Sequence, residues 1–202
     1  MPPYSKTPPT LIAALFILLH ASLSPSFAQE TKEHDYLLLA TNRTSTMETE
    51  MQEAAEQGYM FAGVMGGETS FGGNEVVVVM KRSVADRKSQ YDYRLLATTR
   101  TSTMQREMQE ASDAGYVYKG QTVFSTTFGG DEAVVILERD NEQRTVAPYE
   151  YRLLATKRTS TMQDELREAG RDGFEFVGVT VSSTAFGGDE VVAILKRPTS
   201  SN

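Results

Sequence analysis

Residues 150–197 read EYRLLATKRTSTMQDELREAGRDGFEFVGVTVSSTAFGGDEVVAILKR. The same pattern fills residues 92–139 and 35–82, 48 residues each and aligned without a gap, and the second and third copies are identical at 30 of 48 positions. The chain is therefore a tandem array, and the reading of one unit decides the fold of all three.

Each unit opens on an alternating segment, residues 36–41, 93–98 and 151–156 (YLLLAT or YRLLAT). In the last two copies Tyr, Leu and Ala share one face and Arg, Leu and Thr the other, the period of a strand. A helix follows. Ser45, Ser102 and Ser160 precede Glu48, Gln105 and Gln163 by three residues, a spacing that predicts a capping box. Apolar residues recur at helical spacing (Met47, Met51, Ala54; Met104, Met108, Ala111; Met162, Leu166, Ala169), and Gly58, Gly115 and Gly173 stand where a left-handed helix end is wanted. Alternation resumes at Tyr59, Tyr116 and Phe174. The final segments are the most apolar: residues 76–80 (VVVVM), 133–137 (AVVIL) and 191–195 (VVAIL). The Phe-Gly-Gly-Asn/Asp-Glu stretch before them has the composition of a hairpin turn.

The unit is thus β-α-β-β, and the chain is predicted to be α+β: three tandem repeats, each a three-stranded mixed sheet of order 1-3-2 with one helix on a face. A 48-residue unit buries too little surface to be stable alone. Leu39, Leu96 and Leu154 still seek cover on the other face, so the repeats are expected to pack together.

The remaining segments frame this array. Residues 1–28 have the form of a secretory signal: Lys6, an apolar run at 11–19 (LIAALFILL), and small residues Ser26 and Ala28 before the expected cleavage point. His20 and Pro25 interrupt the run too early for a membrane span. Residues 29–34 form a polar leader, 83–91 and 140–149 are polar connections, and 198–202 are a tail. The expected location is periplasmic or extracellular, with no membrane span after cleavage. Cleavage removes one lysine and no acid, taking the net charge from −7 to −8.

Composition excludes much chemistry. There is no cysteine and there are two histidines, His20 and His34. Disulfides, thiolate metal sites and thiol nucleophiles are absent. The acidic balance argues against nucleic acid. A Ser-His-Asp hydrolase would need a histidine beyond His34, in the leader, and no G-x-S-x-G, Walker A or dinucleotide fingerprint occurs. The GGDE letters of the turn resemble part of a diguanylate cyclase signature. Such a domain needs several times 48 residues and cytosolic GTP, and the next residue here is Val76, Ala133 or Val191. One or two carboxylates per turn also fall short of a calcium shell. Carboxylate pairs on the helices (Glu50 with Glu53, Glu107 with Glu110, Glu165 with Glu168) read as a solvated face. Neither cofactor nor metal is expected.

Two repeated features are the binding candidates. Arg-Thr-Ser-Thr-Met places Arg43, Arg100 and Arg158 with Thr44, Thr101 and Thr159 at each helix start, where free N–H groups favour anions. Phe71, Phe128 and Phe186 at the turn tips are candidate apolar anchors.

The stretch 166–179 (LREAGRDGFEFVGV), with Leu195-Lys196-Arg197 at the end and Tyr149-Glu150-Tyr151 or Tyr91-Asp92-Tyr93 at the opening, resembles the small bacterial domain-of-unknown-function family 4177. That pattern opens on Y-x-Y, continues as L-N-x-L-G-x-E-G-W-E-L-V-x-V and closes on a strand ending in K-R. Tyr59, Tyr116 and Phe174 stand in place of its tryptophan. The resemblance covers each repeat, implies the same β-α-β-β fold and brings no activity or catalytic residues. The leading functional expectation is a non-enzymatic binding or interaction module of the cell envelope or exterior, with an unidentified protein or small ligand as partner. The alternatives are an enzyme with an inter-repeat site of Arg, Thr, Tyr and Glu, and a structural or assembly protein.

Overall fold

The computed structural model describes residues 33–69, 73–84, 90–125, 131–143, 148–183 and 189–199. The signal, most of the leader, the end of the tail and the turn-tip residues Phe71, Phe128 and Phe186 lie outside them. Repeat 1 comprises β1 (His34–Thr41), α1 (Thr44–Glu56), β2 (Met60–Thr69) and β3 (Gly73–Ser83). Repeat 2 comprises β4 (Tyr91–Thr98), α2 (Thr101–Asp113), β5 (Val117–Ser125) and β6 (Asp131–Asp140). Repeat 3 comprises β7 (Tyr149–Thr156), α3 (Thr159–Arg171), β8 (Glu175–Ser183) and β9 (Asp189–Pro198).

The three sheets have orders β1-β3-β2, β4-β6-β5 and β7-β9-β8. The apolar third strand lies in the middle, as its composition requires: Val76, Val78 and Met80 of β3 are wholly buried. The expectation of mixed sheets is corrected. The first two strands of a repeat do run the same way, but the third lies between them, so both pairings are antiparallel. The second strand of each repeat carries a bulge, between Phe61 and Gly63, Tyr118 and Gly120, and Phe176 and Gly178.

The helix starts differ from the sequence expectation. The N-caps are Arg43, Arg100 and Arg158, without side-chain capping bonds, and no serine capping box forms. The preceding turn closes differently: Thr41, Thr98 and Thr156 Oγ1 accept from the N–H of these arginines at 3.2 Å. The helix ends match. Gly58, Gly115 and Gly173 have φ of +84°, +87° and +82°, a conformation a Cβ would strain. Tyr59 N–H donates to Ala54 O and Gly58 N–H to Ala55 O, the crossed pair of a Schellman motif, and both later repeats reproduce it.

An arginine near the end of each central strand ties this corner together. Arg82 pairs with Asp35 at 2.7 Å, donates to Gln57 O at 3.1 Å and lies 4.3 Å from the Tyr59 ring centroid. Arg139 does the same with Asp92, Ala114 O and Tyr116. Arg197 does so with Glu150, Asp172 O and Phe174. Strand start, helix C-terminus and strand end are thereby joined by one guanidinium.

The repeats pack together and in series, but not through Leu39, Leu96 and Leu154, which join the cores around their own helices; Leu95 and Leu153 are the residues turned to the preceding helix. Met47, Met51 and Ala54 of α1 share a core with Val76 and Val78 of their own sheet and with Tyr93, Val134 and Ile136 of the next. Met104, Met108 and Ala111 of α2 meet Tyr151, Val192 and Ile194 of repeat 3 in the same way. The core around α3 contains repeat 3 residues alone. Sheets and helices thus alternate along the array, which begins on a sheet and ends on a helix.

Candidate functional site

Arg43, Arg100 and Arg158 occupy equivalent exposed positions on three successive helices. The structure does not gather them into one cluster. Arg100 and Thr101 border a cleft between repeats 2 and 3, together with Gln121, Thr180 and Glu190. Thr101 Oγ1 reaches Glu190 Oε2 at 3.5 Å across the cleft. Gln121 Nε2 is a buried donor there without a hydrogen-bond partner among the described residues. The space within it is about 30 Å³, room for one or two waters. Thr44 is half-buried and Thr159 exposed. Of the helix carboxylate pairs, Glu107 and Glu110 flank Arg106 at 3.7 and 3.6 Å on the surface of α2. Glu165 Oε2 is shielded and has no hydrogen-bond partner among the described residues. Among those residues no three His, Asp or Glu side chains converge as metal ligands, and no helix is long and apolar enough to cross a membrane.

The most developed polar geometry lies at the seams between repeats. A first strand is an edge strand, so alternate N–H groups point away from its sheet. At the first seam Leu95 N–H donates to Glu48 Oε2 at 2.7 Å and Tyr93 N–H to Gln52 Oε1 at 3.2 Å. At the second seam Leu153 N–H donates to Gln105 Oε1 and Tyr151 N–H to Gln109 Oε1, both at 3.1 Å. Acceptors four apart on a helix thus meet donors two apart on a strand. This pairing is what Glu48 and Gln105 do in place of capping.

A tyrosine completes each seam. Tyr93 Oη accepts from Phe61 N–H, and Tyr151 Oη from Tyr118 N–H, each at 2.8 Å and each at the bulge of the preceding repeat. Tyr93 also donates to Glu138 at 2.7 Å, and Lys119 pairs with Glu138 at 2.9 Å. Burial first, then the Glu138 charge, push the Tyr93 phenol well above its ordinary range. Burial pushes Tyr118 and Tyr151 up to about 12. These phenols stay protonated at neutral pH and act as fixed hydrogen-bond groups, not as bases.

Close backbone approach supplies the rest. A Cβ on Gly120 would lie 2.9 Å from Phe61 Cζ and 3.2 Å from Val64 Cγ1, and one on Gly178 would run into the Tyr118 hydroxyl and Gln121. Only glycine lets the preceding strand seat its side chains there.

The two ends of the array carry the halves of this seam without a partner repeat. Seven large apolar residues are exposed among the described ones: Tyr36, Leu38, Met65, Val84, Phe176, Val179 and Val181. Tyr36, Leu38 and Met65 lie on the outer face of repeat 1, and Phe176, Val179 and Val181 on the outer face of repeat 3. These six are 52–65% exposed, whereas Tyr93 and Tyr151, equivalent to Tyr36, are 4% and 3% exposed. Repetition makes these faces discoverable: a residue type kept for a seam recurs in the one copy where no repeat covers it.

No described protein family, curated protein or solved structure matches this chain.

Proposed function

We propose that the chain is a non-enzymatic interaction module of the cell envelope or exterior, exported through residues 1–28 and built from units akin to domain-of-unknown-function family 4177. The observation that supports the reading is the confinement of six exposed apolar side chains to the two end faces. Contiguous apolar surface of this kind marks protein contacts. On this reading Arg43, Arg100 and Arg158 form polar surroundings and not the anchor. An enzyme with an inter-repeat site draws support from the cleft at Arg100 and Thr101, where Gln121 Nε2 has no hydrogen-bond partner among the described residues. The water-sized interior of that cleft is in keeping with the interaction reading.

Partner capture from the native envelope tests the proposal. Charged substitutions on the ends (Leu38→Asp, Val179→Asp) are expected to abolish capture. Alanine at Arg43, Arg100 and Arg158 is expected to leave it within twofold. The opposite pattern would move the function to the arginines.

A further inference from the structure

We propose that the outer face of repeat 3 docks on the outer face of repeat 1 of a second copy, head to tail, by the same contacts that join successive repeats within the chain. This inference rests on the interaction reading and names the partner.

The two faces match position by position. Phe176 and Val179 correspond to Phe61 and Val64, which seat against Gly120 in the first seam. The glycine that would receive them is Gly63, equivalent to Gly120 and Gly178 at the bulge of its sheet. A Cβ on Gly63 would meet nothing within 4 Å. The close approach that demands glycine in the other two repeats is therefore missing from the isolated chain and restored by a second one. Tyr36, exposed on β1, corresponds to Tyr93 and Tyr151, whose hydroxyls accept the bulge N–H of the preceding repeat; here that donor would be Phe176 N–H. Gln163 on α3 keeps the acceptor position of Gln105, ready for Leu38 N–H.

One position departs. Gln52 accepts from Tyr93 N–H and also donates from Nε2 to Asp92 at 3.4 Å. Its equivalent on α3 is the exposed Arg167. In the docked pair Arg167 would face Asp35, the equivalent of Asp92, exchanging an amide acceptor for a charge-assisted bond. The two faces are different surfaces, so the contact is heterologous and continues into a ring or a filament.

Sedimentation velocity on the purified chain across a concentration series provides the test, with two variants that block one face each. Gly63→Val occupies space that is open in the single chain. Phe176→Asp changes a residue already 55% exposed. Unchanged circular dichroism and melting temperature verify that both fold. The wild type is expected to shift to larger species with concentration, and each variant alone to remain a monomer. An equimolar mixture of the two retains one intact tail and one intact head, so it is expected to form dimers and stop there. A wild type that stays monomeric into the millimolar range overturns the proposal. So does assembly that persists in either variant, the result a symmetric head-to-head contact would give. If the chain stays monomeric while end-face substitutions still abolish partner capture, this inference fails and the interaction reading stands. If capture is also indifferent to them, both fail.

Discussion

Arg82, Arg139 and Arg197 each bind a carboxylate, a helix-terminal carbonyl and an aromatic face at once, and this coupling has a pH signature. Asp35 is held below the usual carboxylate range by hydrogen bonds from Tyr59 and then Arg82. Asp92 is lowered chiefly by the Asn141 amide and also by Arg139. A carboxyl whose folded pKa lies below its unfolded value of about 3.9 stabilises the fold fully above that value, and the contribution is lost as pH falls through the folded value. The melting temperature is therefore expected to hold from neutral pH to about 4.5 in this respect and to drop below about 4, where the unfolded chain takes up protons first. Asp92→Asn, compared by thermal denaturation at several pH values, should flatten part of that drop; an unaltered acid limb would separate the drop from this corner. The acid at the start of each unit and the arginine at its end are visible in the sequence as a pair with constant spacing. Their meeting is not, because it depends on β1 and β3 being neighbours. The glycines at Gly58, Gly115 and Gly173 were fully legible, since a left-handed residue is a local requirement.

Helix starts show the limit of local reading more sharply. Serine followed three residues later by Glu or Gln satisfies the capping pattern, yet the acceptors at Glu48 and Gln105 serve the next repeat's edge strand. One local spacing is compatible with two uses, and only the placement of the following sheet selects between them. The strand order, by contrast, was legible from composition, because the most apolar strand must be the one with neighbours on both sides. The candidate site is legible only in outline: the arginines repeated at the helix starts stand out in the sequence, whereas the role of the seam glycines and tyrosines depends on the stacking of successive repeats. The edge contacts carry a measurable energy. Gln105→Ala leaves Leu153 N–H in the seam without its acceptor and is expected to cost about 1–2 kcal/mol in urea denaturation. Gln105→Glu keeps an acceptor oxygen, as Glu48 does at the first seam, and should recover most of that loss. Equal losses from both would assign the effect to packing.

Across the whole array, each internal helix is shared by two sheets, so the repeats should not unfold as separate units. Removing residues 144–202 uncovers Met104 and Met108 on α2 together with Val135 and Leu137. The shortened chain is expected to melt lower and to bind an apolar dye; a soluble remainder with an unchanged melting temperature would mean that the repeats are independent. Only Met162 and Ala169 of α3 are buried, because no further sheet of the described chain covers this helix. The direction of the array also bears on how the chain matures during synthesis. The first two helices leave the ribosome before the following sheets that cover them, so the apolar side of α1 waits for β4 and that of α2 for β7. A nascent chain halted after the first or second repeat therefore carries an uncovered, adhesive helix, and this is the stage at which it most needs a chaperone. At the third repeat the same side stays uncovered within the chain, with Phe176, Val179 and Val181 exposed there.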